Sequence, residues 1–454
     1  MDNKRPDPAT HLAASVAEVR NIPGLRPGAT RPIERVGVIG AGTMGGGIAM
    51  NFANAGIRCV LVESSDAALD RGLGLIRGNY ETSVQKGRIS ADDVERRMGL
   101  LSGTLDFGAI ADCDLIIEAV YEDLDLKKEI CARLGASAKS GAIIASNTST
   151  LDVDVLAAAT GRPSDVVGMH FFSPANVMKL LEVVRGAETA GEVLATVVDL
   201  ATRIGKVPVV SGVCYGFIGN RMAEVYMREA EFLLMEGASP AKVDEAVEGL
   251  GMAMGPCRML DMAGIDVGAK TVIEWKKTGG APADPSYRAV VDGLYQLGRH
   301  GQKTGEGYYR YEGRTPIDDP PVAKITASLA KEHGIARRDD ISDEEIVERL
   351  LYPLVNEACK ILEEGISYRP GDIDVVWAFG YGFPKEHGGP LYWAEATGLS
   401  RISARLAQYA EARGNEHGYW TISPLLLAAA ASGRPLAAQL LVDTAKADLR
   451  RLPE

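Results

Sequence analysis

A histidine and a glutamate stand twelve positions apart in two apolar runs, Met169-His170-Phe171-Phe172-Ser173-Pro174 and Lys179-Leu180-Leu181-Glu182-Val183-Val184-Arg185. Both runs read as strands, and a carboxylate inside one is costly to bury without a partner. A histidine–glutamate pair meets that need and can do acid–base chemistry. The carboxylate fixes the imidazole tautomer and stabilises the imidazolium formed once a proton is taken. These two residues alone leave another arrangement open, a core histidine with the glutamate turned to solvent. Ser149 lies in Ser146-Asn147-Thr148-Ser149-Thr150 after an apolar run, and Asn220 in Tyr215-Gly216-Phe217-Ile218-Gly219-Asn220-Arg221 before a helical one. A hydroxyl and an amide suit an alcohol or carbonyl oxygen on which charge develops, although both residue types also cap helices.

The elements that must position these groups begin with a strand at Val36, Val38 and Ile39, followed by Gly40-Ala41-Gly42-Thr43-Met44-Gly45. In this GxGxxG turn Gly40 reverses the chain, Gly42 lets backbone approach a pyrophosphate, and Gly45 lets the next helix pack closely. That helix, expected from Thr43 to Ala55, presents its N-terminal N–H groups to the phosphates. A second strand, Ile57 to Val62, ends at Glu63, placed to accept hydrogen bonds from an adenosine ribose and to repel a 2′-phosphate. NAD is therefore favoured over NADP. Further strands are expected at Asp114 to Val120, Ala142 to Ser146, Val166 to His170, Leu181 to Val184 and Val207 to Val210. The end of such a strand is where an open α/β sheet holds its ligands.

The 454 residues, 46% hydrophobic and 24% charged, fit a soluble globular protein of two to four domains. A net charge of −12 argues against nucleic acid as partner, and no apolar run is long enough to span a bilayer. The six cysteines form no CxxC pair and several fall in apolar patterns, as reduced thiols of a cytoplasmic protein would. The N-terminus lacks the apolar stretch of a signal peptide. With six histidines and no HExxH or EF-hand pattern, no metal site is expected.

Residues 1–34, ending in Pro23-Gly24-Leu25-Arg26-Pro27-Gly28, read as a short helix and linker, and 35–212 as the nucleotide-binding domain. Between Asp66 and Met98 a polar helical pattern broken at Gly87 suggests a helical hairpin with Lys86 and Arg88 at a solvated tip. From Phe217 the pattern is helical and repeats. Met227-Arg-Glu-Ala-Glu-Phe-Leu-Leu-Met-Glu-Gly237 matches Val355-Asn-Glu-Ala-Cys-Lys-Ile-Leu-Glu-Glu-Gly365, and Gly255-Pro256 matches Gly389-Pro390. Two helical domains, 213–312 and 341–440, are thus expected, joined by a linker at 313–340. In register, Asn220 faces Glu348, so chemistry is expected in the first copy only, with the second structural.

The motifs GVIGAGTMG, IIEAVYEDLDLKKEI, ASNTSTL, GMHFFSPANVMKLLEVVRG, GFIGNRM and GMAMGPCRMLDMAGIDV together resemble the L-3-hydroxyacyl-CoA dehydrogenase family from Arg35 to about Gly398. The resemblance implies a Rossmann-type α/β NAD-binding domain followed by two tandem all-α domains. His170 would be the general base, Glu182 its orienting partner, and Ser149 and Asn220 contacts to the reacting end of the substrate. NAD would meet Gly40, Gly42, Thr43, Met44, Gly45 and Glu63 at its adenosine half, with Glu122, Lys127 and Asn147 completing the cofactor site. The duplicated helical domain resembles that of multifunctional fatty-acid oxidation proteins, here without room in residues 1–34 for a hydratase module. The implied substrate is an acyl-CoA; its CoA contacts are not named by the resemblance, and Lys86, Arg88 and Lys179 are candidates on charge alone. Association with other β-oxidation enzymes is compatible with this. The chain would be a monomer, its second copy taking a partner's place, or a homodimer. A dehydrogenase of a CoA-free hydroxy acid and a non-catalytic nucleotide-binding protein are the alternatives.

Overall fold

The computed structural model describes residues 5–25, 30–277 and 279–449, with side chains to 442. Two compact units emerge, one of residues 13–217 with 365–368, the other of the remainder. The short helix expected near the N-terminus is α1 (Pro8–Glu18); Arg26 to Ala29 of the expected linker, and both chain termini, lie outside the described residues.

The first unit is built on eight strands: β1 (Arg35–Ile39), β2 (Arg58–Val62), β3 (Leu101–Thr104), β4 (Leu115–Glu118), β5 (Ile143–Ser146), β6 (Val166–Phe171), β7 (Leu180–Arg185) and β8 (Val207–Gly212). They lie in the order β3-β2-β1-β4-β5-β6-β7-β8. The helices are α2 (Thr43–Asn54), α3 (Asp66–Gln85), α4 (Ala91–Met98), α5 (Leu124–Ser137), α6 (Val153–Ala159) and α7 (Gly191–Arg203). Every residue of β4, β5 and β6 is buried, as in a sheet covered on both faces. Val36, Val38, Leu115 and Ile117 pack with Ile48 and Phe52 of α2, while Ile116 and Ile144 pack with Ile130 and Leu134 of α5. Helices α3 and α4 form the expected hairpin, with Lys86 and Arg88 exposed between them.

All neighbouring strands are parallel except β6 and β7. The eight residues between them, Phe172 to Lys179, are too few for a parallel crossover, which takes a dozen or more. The antiparallel register that follows sets His170 directly opposite Glu182.

The second unit holds α8 (Gly219–Glu236), α9 (Pro240–Glu248), α10 (Pro256–Ala263), α11 (Ile265–Lys277), α12 (Ala289–Gln296), the hairpin β9 (Arg310–Glu312) and β10 (Thr315–Ile317), α13 (Pro320–Glu332), α14 (Asp343–Glu363), α15 (Pro370–Gly380), α16 (Pro390–Thr397), α17 (Leu399–Arg413), α18 (Pro424–Ser432) and α19 (Leu436–Leu449). The stretch expected as a linker thus contains β10 and α13. Val322, Thr326 and Ala330 of α13 are buried, and α13 packs on α8 as part of the first helical copy.

Helices α8 and α14 carry the repeat, and their charges interlock reciprocally. Arg221 pairs with Glu357 at 2.7 Å and Glu364 at 2.5 Å, while Arg349 pairs with Glu229 at 2.9 Å and Glu236 at 2.7 Å. Arg221, Glu229 and Glu236 are in register with Arg349, Glu357 and Glu364 in the sequence repeat. Each copy therefore offers the other the same ion pairs, the pattern of a two-fold interface.

The repeat also shows what the N-terminal residues do. Asp244 accepts the N–H groups of Cys257 and Arg258 and the hydroxyl of Tyr309 at 2.7 Å. Its counterpart Asp374 accepts those of Leu391 and Tyr392, but its third partner is His11 Nε2 at 2.8 Å. Helix α1 thus supplies to the second copy what the Tyr309 tail supplies to the first.

Candidate active site

The antiparallel pairing brings His170 Nδ1 to 2.8 Å from Glu182 Oε2, with the carboxylate wholly buried. This hydrogen bond assigns the proton to Nδ1 and leaves Nε2 as the basic nitrogen. The ring is held between Phe172 and Phe217, at centroid distances of 4.4 and 5.8 Å. The alternative of a solvent-facing glutamate is absent: the pair exists, built by one register.

The connection between the two strands is gripped from below. The Ala175 carbonyl accepts from Asn51 of α2 at 3.0 Å and from the Lys206 ammonium at 2.5 Å, and the Met178 carbonyl accepts from Lys206 at 2.7 Å. Burial, with the charge of Lys179 nearby, brings the Lys206 pKa down to about 8. Lys179 itself is exposed, beside the Gly205 carbonyl.

Ser149 is positioned by Glu122. One oxygen of that carboxylate accepts from the Ser149 N–H at 2.8 Å, the Ser149 hydroxyl at 3.2 Å, the Thr148 hydroxyl at 2.6 Å and the Thr150 N–H at 3.3 Å. The other lies 3.4 Å from Lys127, which also binds both oxygens of Glu118 at 2.9 and 2.8 Å. Ser146 completes this buried network by donating to Glu118. Burial opposes charge on Glu122, yet Lys127 and the loop donors carry its pKa below the usual carboxylate range. Burial likewise opposes the Lys127 charge, and Glu118 with Glu122 reverses that effect. The Lys127 side chain is 1% exposed, its ammonium turned to Glu118 and Glu122. Asn147 ties β5 to β6, its side-chain oxygen accepting from the Phe171 N–H at 2.9 Å.

Sequence reasoning missed Glu118, Thr148, Asn51 and Lys206. Glu118 gave the same signal as Glu182, a lone acid in an apolar strand, and Lys206 precedes an apolar strand; Asn51 in a helix of small residues gave none.

The glycine turn has the conformation its role requires. Gly40 has φ +97°, and a Cβ there would come within 2.9 Å of the Ala119 carbonyl oxygen. A Cβ on Gly45 would sit 1.9 Å from the Gly40 oxygen, whereas one on Gly42 would meet nothing within 4 Å. Gly42 caps α2 without any side chain, and Gly42 and Thr43 are exposed with Met44 half-buried behind them. A bare helix N-terminus behind an open glycine is a cradle for a pyrophosphate. Glu63 Oε1 accepts from the Ala41 N–H at 2.9 Å and Oε2 from the Ser64 N–H and hydroxyl at 2.8 and 3.3 Å, so Oε1 retains a lone pair for a ribose hydroxyl. The residues present fit NAD. Gly45→Ala is expected to abolish NADH binding measured by fluorescence, since the backbone contact it creates is relieved only by opening the turn.

Asn220 belongs to the helical unit, at the start of α8, where its side-chain oxygen accepts from the Tyr381 hydroxyl at 2.6 Å.

A doubly covered sheet with this glycine turn, followed by a duplicated helical unit, defines an NAD-dependent dehydrogenase. Residues 35–214 match the 3-hydroxyacyl-CoA dehydrogenase NAD-binding domain, and 216–311 and 346–438 match the C-terminal domain of the same family. The chain belongs to the 3-hydroxyacyl-CoA dehydrogenase family.

It is 43% identical over 417 residues to a peroxisomal bifunctional enzyme of Danio rerio, covering 89% of this chain and 57% of that one. The chain spans about half the length of the curated relatives it matches. Among solved structures it resembles 3-hydroxybutyryl-CoA dehydrogenase from Escherichia coli K12, with TM-score 0.75, 27% identity, and 89% and 100% of the two chains covered. It also resembles the dehydrogenase part of multifunctional enzyme 1 from C. elegans, with TM-score 0.63, 28% identity, and 92% and 96% covered. The peroxisomal naming of the zebrafish relative overturns the cytoplasmic expectation. Reduced buried thiols suit any compartment without disulfide-forming chemistry, so cysteine usage carries no such address.

Proposed function

We propose that this chain interconverts L-3-hydroxyacyl-CoA and 3-ketoacyl-CoA, serving fatty-acid β-oxidation or a related acyl-CoA pathway as the counterpart of its relatives' dehydrogenase part. The observation that carries the reading is the buried His170–Glu182 pair near the C-terminal end of β6, the strand next to β5 and the Ser149 loop that follows it. His170 Nε2 takes the proton of the 3-hydroxyl, and Glu182 stabilises the imidazolium that results. Ser149 holds the reacting oxygen as its charge changes, and the family resemblance implies a substrate contact for the Asn220 amide. Glu122, anchored by Lys127, keeps the Ser149 loop in place. Bound NAD supplies the hydride acceptor. In reduction the same groups work in reverse, His170 returning its proton to the oxygen.

The test follows NADH absorbance with purified protein and acetoacetyl-CoA, against NADPH and free acetoacetate. Oxidation with NADH and the CoA ester alone is expected. Turnover of free acetoacetate at a comparable rate would point to the CoA-free reading, and NADH binding without any turnover to the non-catalytic one.

The reciprocal pairs of Arg221 and Arg349 support a monomer in which the second copy takes a partner's place. Light scattering after size exclusion is expected to give about the 48.3 kDa of one chain; a tight dimer at micromolar concentration would refute this.

A further inference from the structure

The second helical copy was expected to be structural, since Glu348 stands where the first copy has Asn220. The contacts around Asn220 assign it more. Three successive residues of α8 engage the second copy: Gly219, Asn220 and Arg221. Arg221 pairs with Glu357 and Glu364 of α14. Gly219 has no side chain because Tyr381 lies against it, and an added Cβ would come within 2.6 Å of the Tyr381 ring and 2.8 Å of its hydroxyl oxygen. Asn220 receives that hydroxyl's hydrogen bond on its side-chain oxygen at 2.6 Å. The Tyr381 ring is itself fixed, stacked on Trp377 at 4.6 Å and 19°, and Trp377 is fully buried in α15 against Tyr226 of α8. A glycine that clears space, an aromatic stack that fixes the ring, and a short hydrogen bond at its tip converge on one amide.

We propose that Tyr381, contributed by the second helical copy, is a positioning residue for the reaction and sets the orientation of Asn220. In the observed geometry the phenol donates to the amide oxygen and anchors it, which leaves the NH₂ as the donor to the reacting oxygen. Donation to the oxygen also polarises the amide and strengthens its N–H groups as donors, the cooperative effect of a hydrogen-bond chain. The duplication thus adds a group to the active-site machinery. The inference rests on the substrate-contacting role of Asn220 proposed above.

Tyr381→Phe deletes the hydroxyl while keeping the ring on Gly219 and Trp377, so the fold is retained. It is expected to lower kcat for acetoacetyl-CoA reduction about 3- to 10-fold, the worth of one hydrogen bond, with the KM for NADH unchanged. Asn220→Ala should lower kcat about 10²- to 10³-fold. Adding Tyr381→Phe to Asn220→Ala should cost nothing more, because the hydroxyl acts only through the amide. A purely structural tyrosine would leave kcat alone, or its effect would multiply with that of Asn220→Ala; either result overturns the proposal. If Asn220→Ala is itself fully active, it is the role of Asn220 that fails. If the wild-type protein turns over no 3-ketoacyl-CoA, it is the proposed function that fails.

Discussion

Replacing His170 with glutamine is expected to lower kcat for acetoacetyl-CoA reduction about 10²- to 10⁴-fold, the usual worth of a positioned acid–base group, while NADH affinity stays unchanged. The separation follows from the fold. His170 ends β6, whereas the glycine turn follows β1 and Glu63 follows β2, so the substitution touches no group assigned to the adenosine half. Glutamine fills similar space and can still donate to Glu182, but it has no nitrogen that takes a proton near neutral pH. Glu182→Gln should cost less, because it leaves the imidazole in place and removes only the charge that stabilises its protonated form. Steady-state kinetics with fluorescence titration of NADH checks both. Near-normal turnover by His170→Gln would sink the assignment of the general base.

The second large effect concerns stability. Arg349→Met is expected to destabilise the protein by about 3–5 kcal/mol, the cost of breaking a buried ion pair by removing one partner. Arg349 is wholly buried, and its removal takes two hydrogen bonds, at 3.0 and 2.9 Å, from Glu229, which is 1% exposed and is left with Arg228 Nε at 3.2 Å. The reciprocal Arg221→Met should cost less, because Glu364 is half exposed to water and the more buried Glu357 keeps Lys360 at 3.1 Å. Burial raises the Glu229 pKa, but Arg349, Arg228 and Arg413 more than reverse this and hold it below the ordinary 4.5. A depressed carboxylate contributes stability at pH values above its unfolded pKa, and that stability is lost as pH falls through the folded value. Removing Arg349 lifts the folded value, so acid unfolding should begin at higher pH in the variant. Denaturant melts of the two variants between pH 4 and 7 test this. Equal costs at the two arginines would mean that the buried pair is not the stronger half of the interface.

Much of the site was legible because its residues break local patterns. A lone acid in an apolar strand, a histidine at a strand end and three glycines in a fixed spacing each contradict what burial or helix propensity would choose. The strands of the sheet centre were equally readable, since burial on both faces writes them as continuous apolar runs. β3 was not readable: Leu101-Ser102-Gly103-Thr104 is a short, partly exposed edge strand with no such run. Helix α13 was missed because Pro320 and Pro321 read as linker residues, although proline is also favoured in a helix's first turn.

The sequence by itself determined most of the elements, the cofactor turn, the helical duplication and the residue types available for proton transfer, because these depend on local spacing and on side-chain chemistry. Tertiary structure decided which of those residues meet. The reversal of β7 set Glu182 against His170, the fold of the loop after β5 gathered Ser149 onto Glu122, and the packing of α8 on the second copy put Tyr381 on Asn220. Those contacts join positions up to 161 apart. They arise because strand direction and helix docking are fixed by the core as a whole, and no window of sequence contains it.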